Sequence, residues 1–109
     1  MSTDIAGEFD RSLDARIESH QKGNNAISVY RERLRAGIEA KAAQLHDPSK
    51  FDAKRQAAHA FIDAAVDQRL GHIKKDLSDY VIAQGGPKVS TFDIPDWLAG
   101  HVLAKQLGI

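Results

Sequence analysis

The sequence contains no cysteine, few aromatic residues (6%) and no net charge, because 15 basic side chains balance 15 acidic ones. The absence of cysteine excludes disulfides, cysteine-ligated zinc, iron–sulfur clusters and thiol catalysis. Charge neutrality argues against a polyanion binder, whose affinity would rest on excess lysine and arginine. No apolar run approaches the roughly 20 residues that a membrane-spanning helix needs. The first residues lack the features of a secretion signal, so we expect a cytoplasmic protein without a membrane partner.

Alanine, in contrast, is abundant and occupies 16 of the 109 positions. A composition rich in alanine and poor in aromatic residues favours helices and disfavours a core built from strands. A chain of this length is also the usual size of one domain. The sequence therefore predicts a single all-α domain over residues 1–109, a helical bundle completed by oligomerisation.

Apolar periodicity and helix-terminal residues divide the chain into four predicted helices, at about residues 4–22, 25–45, 48–84 and 95–107. Ser2 or Thr3 would cap the first helix. Gly23-Asn24-Asn25 would end it, because glycine and asparagine accept the left-handed backbone of a helix C-cap. The first two helices would then form an antiparallel hairpin. The first helix would bury a narrow stripe consisting of Ile5, Phe9, Leu13 and Ile17.

The third predicted helix is long, extending from Pro48 to the helix-stopping sequence Gly85-Gly86-Pro87. An unbroken helix of about 36 residues would be ~54 Å long, whereas a compact chain of this size has a radius of gyration near ~13 Å. Either Gly71 breaks this helix or a second chain covers its projecting half. We favour the second alternative, because apolar residues continue in phase through Gly71 as in a coiled-coil seam. The seam, which we predict to be a homodimer interface, consists of Val66, Leu70, Ile73, Leu77 and Tyr80.

The last predicted helix opens near Pro95, ends at Gly108 and is apolar on two opposite sides. Such a helix is usually buried on both sides, so it packs on its own bundle or inserts into a partner. It carries Trp97, the only tryptophan, and the adjacent Leu98. Aromatic anchors often dominate binding energy, so Trp97 either binds a partner or closes the core of the bundle.

A basic cluster on the second predicted helix supports an alternative function, a nucleic-acid-binding regulator. The cluster consists of Arg31, Arg33, Arg35 and Lys41. Arg31 and Arg35 are one helical turn apart and could contact adjacent phosphates. Acidic residues are interspersed among them, however, and arginines beside a bundle seam more often form salt bridges with a neighbouring helix.

Catalytic and metal-binding patterns are weak in this sequence. His59–Asp63 and His72–Asp76 are each spaced by four residues, but a metal site needs three or four converging ligands. We expect His59 and Asp63 to form a helix-stabilising surface pair instead. No nucleophile elbow, phosphate-binding loop or dinucleotide motif occurs. We therefore expect no enzyme activity, no cofactor and no metal site.

Together these observations predict a non-catalytic protein-interaction module, such as an adaptor, assembly or regulatory subunit. Its expected partner is a second copy of itself or another helical protein. The candidate partner-binding residues are the third-helix seam with Trp97 and Leu98. Small neutral helical proteins of this build also occur among bacterial and phage accessory factors.

Overall fold

A computed structural model describes residues 4–109, and all regular structure within that range is helical. The predicted all-α class is therefore confirmed for this part of the chain. The elements in chain order are α1 (Ile5–Ala43), a 3-10 turn (Pro48–Phe51), α2 (Asp52–Ala60), α3 (Ile62–Ala83), a second 3-10 turn (Thr91–Asp93) and α4 (Asp96–Leu107).

The predicted antiparallel hairpin is wrong, because α1 continues without interruption through Gly23. No proline precedes Pro48, so no residue in this stretch forbids a continuous helix. Gly23 is buried, and a Cβ atom built on it would lie 1.9 Å from the carbonyl oxygen of Trp97 in α4. This glycine serves close packing between two helices and does not terminate one.

The start of α1 is capped by Asp4, whose side chain accepts a hydrogen bond of 3.0 Å from the Gly7 backbone N–H. This arrangement satisfies one of the amide groups left unpaired at a helix N-terminus. Ser2 and Thr3, the predicted capping residues, lie outside the described residues.

The crossing of α1 and α4 is a backbone-to-backbone contact. A Cβ atom on Gly100 would lie 2.2 Å from the carbonyl oxygen of Gly23. Ala26 and Ala99, close by on the two helices, have no exposed surface. Small residues on both helices therefore allow the two backbones to touch.

The predicted helix over 48–84 is divided at Phe61 and not at Gly71. The first 3-10 turn precedes α2, and the backbone N–H of Phe61 lies 3.2 Å from two carbonyl oxygens, those of Ala57 and Ala58. This irregularity separates α2 from α3, which then continues through Gly71.

The predicted ends of α3 and α4 are confirmed. Gly85 and Gly108 both have positive φ, at 81° and 74°. After α3, the backbone N–H of Gly86 lies 2.9 Å from the Val81 carbonyl oxygen, which closes the terminal turn. Glycine suits both positions because the left-handed backbone costs it no steric energy.

The core lies where α3 and α4 meet α1. Its buried members are Ile62, Val66, Leu70, Ile73, Ala99 and Leu103. Polar contacts reinforce this packing, since Lys74 of α3 pairs with Asp96, and Arg69 donates to Gln106 of α4 at 2.6 Å. The fourth helix thus packs on its own bundle, one of the two alternatives that the sequence left open.

The molecule is elongated because α1 is much longer than the core. A helix of 39 residues spans about 58 Å at 1.5 Å per residue. The described chain measures 73 × 33 × 21 Å and has a Cα radius of gyration of 19.5 Å. A compact domain of this size would have a radius near ~13 Å. The start of α1 therefore projects beyond the bundle.

Candidate interaction surfaces

The seam predicted on the third helix lies mostly inside the molecule. Val66, Leu70 and Ile73 are at most 4% exposed and pack against α4 in the core. Leu77 is half-buried against the same core, while Tyr80 is 63% exposed. The prediction that a second chain covers this face assumed that no other part of the same chain could cover it. That assumption is wrong, because α4 packs against this face.

Trp97 lies over the crossing of α1 and α4, and it is half-buried. Its ring stacks on that of His20 with a centroid distance of 4.2 Å, and the His101 ring meets it edge-on at 5.8 Å. The Nε2 atom of His101 donates a hydrogen bond of 2.8 Å to the Ser19 carbonyl oxygen, which can only accept. Leu98 beside it remains 40% exposed. Trp97 thus serves the packing of α4 on α1.

The arginines of the basic cluster are engaged at three different places. The Nε atom of Arg31 lies 3.1 Å from a carboxylate oxygen of Asp63 in α3. Arg33 donates a hydrogen bond of 3.0 Å to the last backbone carbonyl of α4, and Arg35 pairs with a glutamate one turn earlier in α1. Lys41 is exposed near the C-terminal end of α1. Each of the three arginines therefore already has an acceptor within residues 4–109.

The expected pairing of His59 with Asp63 is wrong, because each side chain pairs with α1. The Nε2 atom of His59 lies 2.6 Å from a carboxylate oxygen of Glu39, and Asp63 accepts from Arg31. His72 and Asp76 are both exposed on α3. Within residues 4–109, no three histidine, aspartate or glutamate side chains converge as a metal-ligand group.

The apolar stripe of the first predicted helix is exposed, which contradicts the expectation that it is buried. Ile5, Phe9, Leu13 and Ile17 are 40–71% exposed. We call residues 4–18 the arm and these four side chains the arm stripe. No residue of the arm is buried. The arm stripe is therefore a continuous apolar row that the rest of the described chain leaves uncovered.

The arm is also acidic. It carries five carboxylates and two arginines, a net charge of −3, with the acids at Asp4, Glu8, Asp10, Asp14 and Glu18 and the bases at Arg11 and Arg16. None of these seven side chains forms a salt bridge with another part of residues 4–109. The arm thus combines an apolar row with unpaired negative charge.

A second surface, which the sequence reasoning missed, lies at the opposite end of α1. Here the chain turns at Pro48, and the end of α1, the first 3-10 turn and α2 enclose an open depression of about 390 Å³, which we call the groove. Its apolar lining residues are Ile38, Ala42, Leu45, Pro48, Phe51 and Ala58, and its cationic lining residues are Lys41, Lys54 and Arg55. The available signal was Pro48 followed closely by Phe51, which indicates a helix reversal over an aromatic side chain.

The groove has a positive border that is only partly neutralised. Arg55 lies 3.5 Å from Glu39 and 3.8 Å from Asp52. Lys41 and Lys54 have no carboxylate within salt-bridge distance among residues 4–109. The Nζ atom of Lys54 instead lies 5.9 Å from the centre of the Phe51 ring. The groove is thus apolar inside and positively charged at its edge.

Comparisons with protein-family models, curated proteins and solved structures gave no match to this chain. None of the helices within residues 4–109 has the length and apolar composition needed to cross a bilayer. A proposal about function therefore depends on the surfaces described above.

Proposed function

We propose that this protein is a non-catalytic interaction module that acts through helix–helix contacts and forms a homodimer. The observation that carries the proposal is the arm stripe, four large apolar side chains in one row on a projecting helix. Contiguous exposed apolar surface is typical of interaction sites, whereas single exposed apolar residues are ordinary. A partner helix packed on this row would remove it from water.

The magnitude of the apolar term favours a symmetric dimer. The four side chains retain about half of their surface in water. Since full burial of such a side chain stabilises by roughly 1.5–3 kcal/mol, covering one arm stripe would contribute about 3–6 kcal/mol. Association costs about 4–15 kcal/mol in lost translational and rotational freedom. Covering one arm stripe therefore offsets this cost only where the cost lies near the lower end of that range. A two-fold dimer covers two arm stripes, which doubles the apolar contribution and offsets most of the association cost.

The proposed interface is therefore not the one predicted from the third-helix seam. Val66, Leu70 and Ile73 already stabilise the bundle and are inaccessible to a partner. Tyr80 and Leu98 are exposed and could extend a contact, but they do not form a row comparable to the arm stripe. The proposal retains the helix–helix mode of interaction and places it on α1.

The experiment compares the molar mass and helicity of three proteins by light scattering and circular dichroism. In the first variant, Phe9→Ser and Leu13→Ser remove the centre of the arm stripe. The control variant carries Arg11→Ser and Glu18→Ser, which lie on the opposite side of the same helix by 100° per residue. The control has the same number of serines in the same exposed helix and an unchanged net charge.

We expect the parent protein and the control to form dimers at micromolar to hundred-micromolar concentrations. The Phe9→Ser, Leu13→Ser variant should be monomeric with unchanged helicity, because no residue of the arm contributes to the buried core. A parent protein that stays monomeric at several hundred micromolar would contradict the proposal. Equal loss of association in both variants would also contradict it, because the effect would then not belong to the apolar row.

A further inference from the structure

We infer that the arm of one copy occupies the groove of a second copy, and that the exchange is reciprocal. The inference rests on the proposed self-association and identifies the surface that accepts the arm stripe. Three properties of the chain support it: the separation of arm and groove along α1, their opposite charges, and the shape of the arm stripe.

A single chain cannot bring its own arm to its own groove. The arm and one wall of the groove belong to α1, which is uninterrupted from Ile5 to Ala43. Ile17, at the end of the arm stripe, and Ile38, at the start of the groove, are separated by 21 positions, or about 31 Å of helix at 1.5 Å per residue. The two surfaces can therefore meet only between molecules.

The charges of the two surfaces are complementary. The arm carries a net charge of −3, and none of its carboxylates forms a salt bridge within residues 4–109. Lys41 and Lys54 at the groove have no carboxylate partner in the same range. Pairing two arms would place negative charge against negative charge, whereas an arm in a groove pairs opposite charges.

The shape of the arm stripe also favours the groove over another arm. Its members are spaced by four residues, which forms one oblique ridge along the helix. Two such ridges pack at a steep angle, near −50°, and touch over a short length. The groove lies between α2 and the end of α1, and its lining residues Leu45 and Phe51 are 36% and 38% exposed. A single ridge of apolar side chains fits such a depression.

Reciprocal exchange closes the assembly. Each molecule has one arm and one groove, so a one-way contact would leave an unused arm at one end and an unused groove at the other, and chains of molecules would grow. Two molecules related by a two-fold axis satisfy both arms and both grooves. The inference is therefore a dimer and not a filament.

The test is complementation between two variants that each lack one half of the contact. The arm variant carries Phe9→Ser and Leu13→Ser and keeps its groove. The groove variant carries Lys41→Glu and Lys54→Glu and keeps its arm. Its control carries Lys75→Glu and Lys105→Glu, two exposed lysines outside the groove, with Lys105 in the last turn of α4 as Lys41 is in that of α1. Sedimentation equilibrium gives the dimer Kd for each protein and for the 1:1 mixture.

Three results support the inference together. The Kd of the groove variant should rise about tenfold or more relative to its control, because reversing two charges replaces attraction by repulsion. The arm variant should be monomeric. The mixture should contain a heterodimer, since the intact arm of the groove variant can enter the intact groove of the arm variant.

The failures of the two proposals are distinguishable. If the parent protein is monomeric, the proposed function fails and the groove assignment fails with it. If the groove variant dimerises as tightly as its control while the arm variant is monomeric, self-association stands and the groove is not its site. If both variants are monomeric and their mixture shows no heterodimer, the intact arm does not enter the intact groove and the inference is overturned. A ladder of masses above the dimer would overturn the reciprocal arrangement.

Discussion

The close crossing of α1 and α4 leads to a prediction in which one substitution has opposite effects at different glycines. Gly100→Ala adds a methyl group whose carbon would lie 2.2 Å from the Gly23 carbonyl oxygen. Gly37→Ala and Gly71→Ala add the same methyl group in α1 and α3, where no atom outside the local helix backbone lies within 4 Å of it. The two latter positions are therefore controls for the intrinsic effect of alanine in a helix.

The magnitude follows from the contact distance and helix propensity. To reach the 3.4 Å of ordinary contact, the Gly100 methyl carbon must move 1.2 Å away from a backbone atom, which no side-chain rotation can relieve. Overpacking costs about 1–3 kcal/mol, and we take the upper end because backbone meets backbone. Alanine regains about 1 kcal/mol of helix propensity, which leaves a net loss of about 2 kcal/mol. At Gly37 and Gly71 only the gain applies, so stability should rise by about 0.5–1 kcal/mol.

Urea unfolding followed by circular dichroism gives the free energy of unfolding for each variant. The Gly100→Ala variant should unfold at lower urea concentration than the parent, and the Gly71→Ala variant at higher concentration. Measurements at several protein concentrations separate this effect from dimer formation, which makes apparent stability depend on concentration. The double variant Gly23→Ala, Gly100→Ala should lose less than the sum of its single losses, because both methyl groups enter the same contact.

A specific result would refute this reasoning. If Gly100→Ala and Gly71→Ala both stabilise the protein by similar amounts, the two backbones do not touch at Gly23. Gly23 would then be free to act as the helix terminator that the sequence suggested, and the packing of α4 described here would be wrong.

Two further predictions concern surfaces that the structure reassigns. Leu70→Ala should lower the free energy of unfolding by about 2–5 kcal/mol, as other truncations of buried leucine do. Tyr80→Ala should change the urea midpoint little, because Tyr80 is exposed. Equal effects of the two substitutions would indicate that the two residues still act as one seam. Replacing Arg31, Arg33 and Arg35 by glutamine should leave duplex-DNA affinity negligible and unchanged in filter binding, because the balanced charge of the chain provides no net attraction; micromolar binding by the parent protein, with a steep salt dependence that the substitutions abolish, would instead favour the nucleic-acid alternative.

The helix class and several helix ends were predictable because they depend on local chemistry. Alanine content and apolar periodicity predict helices whatever their partners. Gly85 and Gly108 were correctly predicted to end α3 and α4, since each has positive φ, which glycine adopts without strain. The last helix was predicted over 95–107 and observed over Asp96–Leu107.

Gly23 shows why the rest was not predictable from local chemistry. A glycine followed by two asparagines is a good helix terminator, yet here it lies inside a helix with α4 against it. The neighbouring residues do not distinguish a glycine that ends a helix from a glycine against which a second helix packs its backbone. The distinction depends on Trp97 and Gly100, more than 70 positions away. The groove was missed for the same reason, because it needs residues from both sides of the Pro48 turn.

The misassignment of Gly23 also explains why the exposed apolar row lies on a different helix from the predicted interface. A break at Gly23 would let residues 4–22 fold back on the second helix and bury the arm stripe, leaving the seam of the third helix without a cover. In the continuous helix the opposite holds: α4 packs against Gly23, and Val66 and Leu70 lie in the core with residues of α4, while the arm stripe stays exposed. The apolar residues left for a partner are therefore those of the arm of α1 and not Val66 and Leu70 of α3. For this chain, the location of the proposed interaction surface therefore depends on whether Gly23 ends a helix or packs against a second helix.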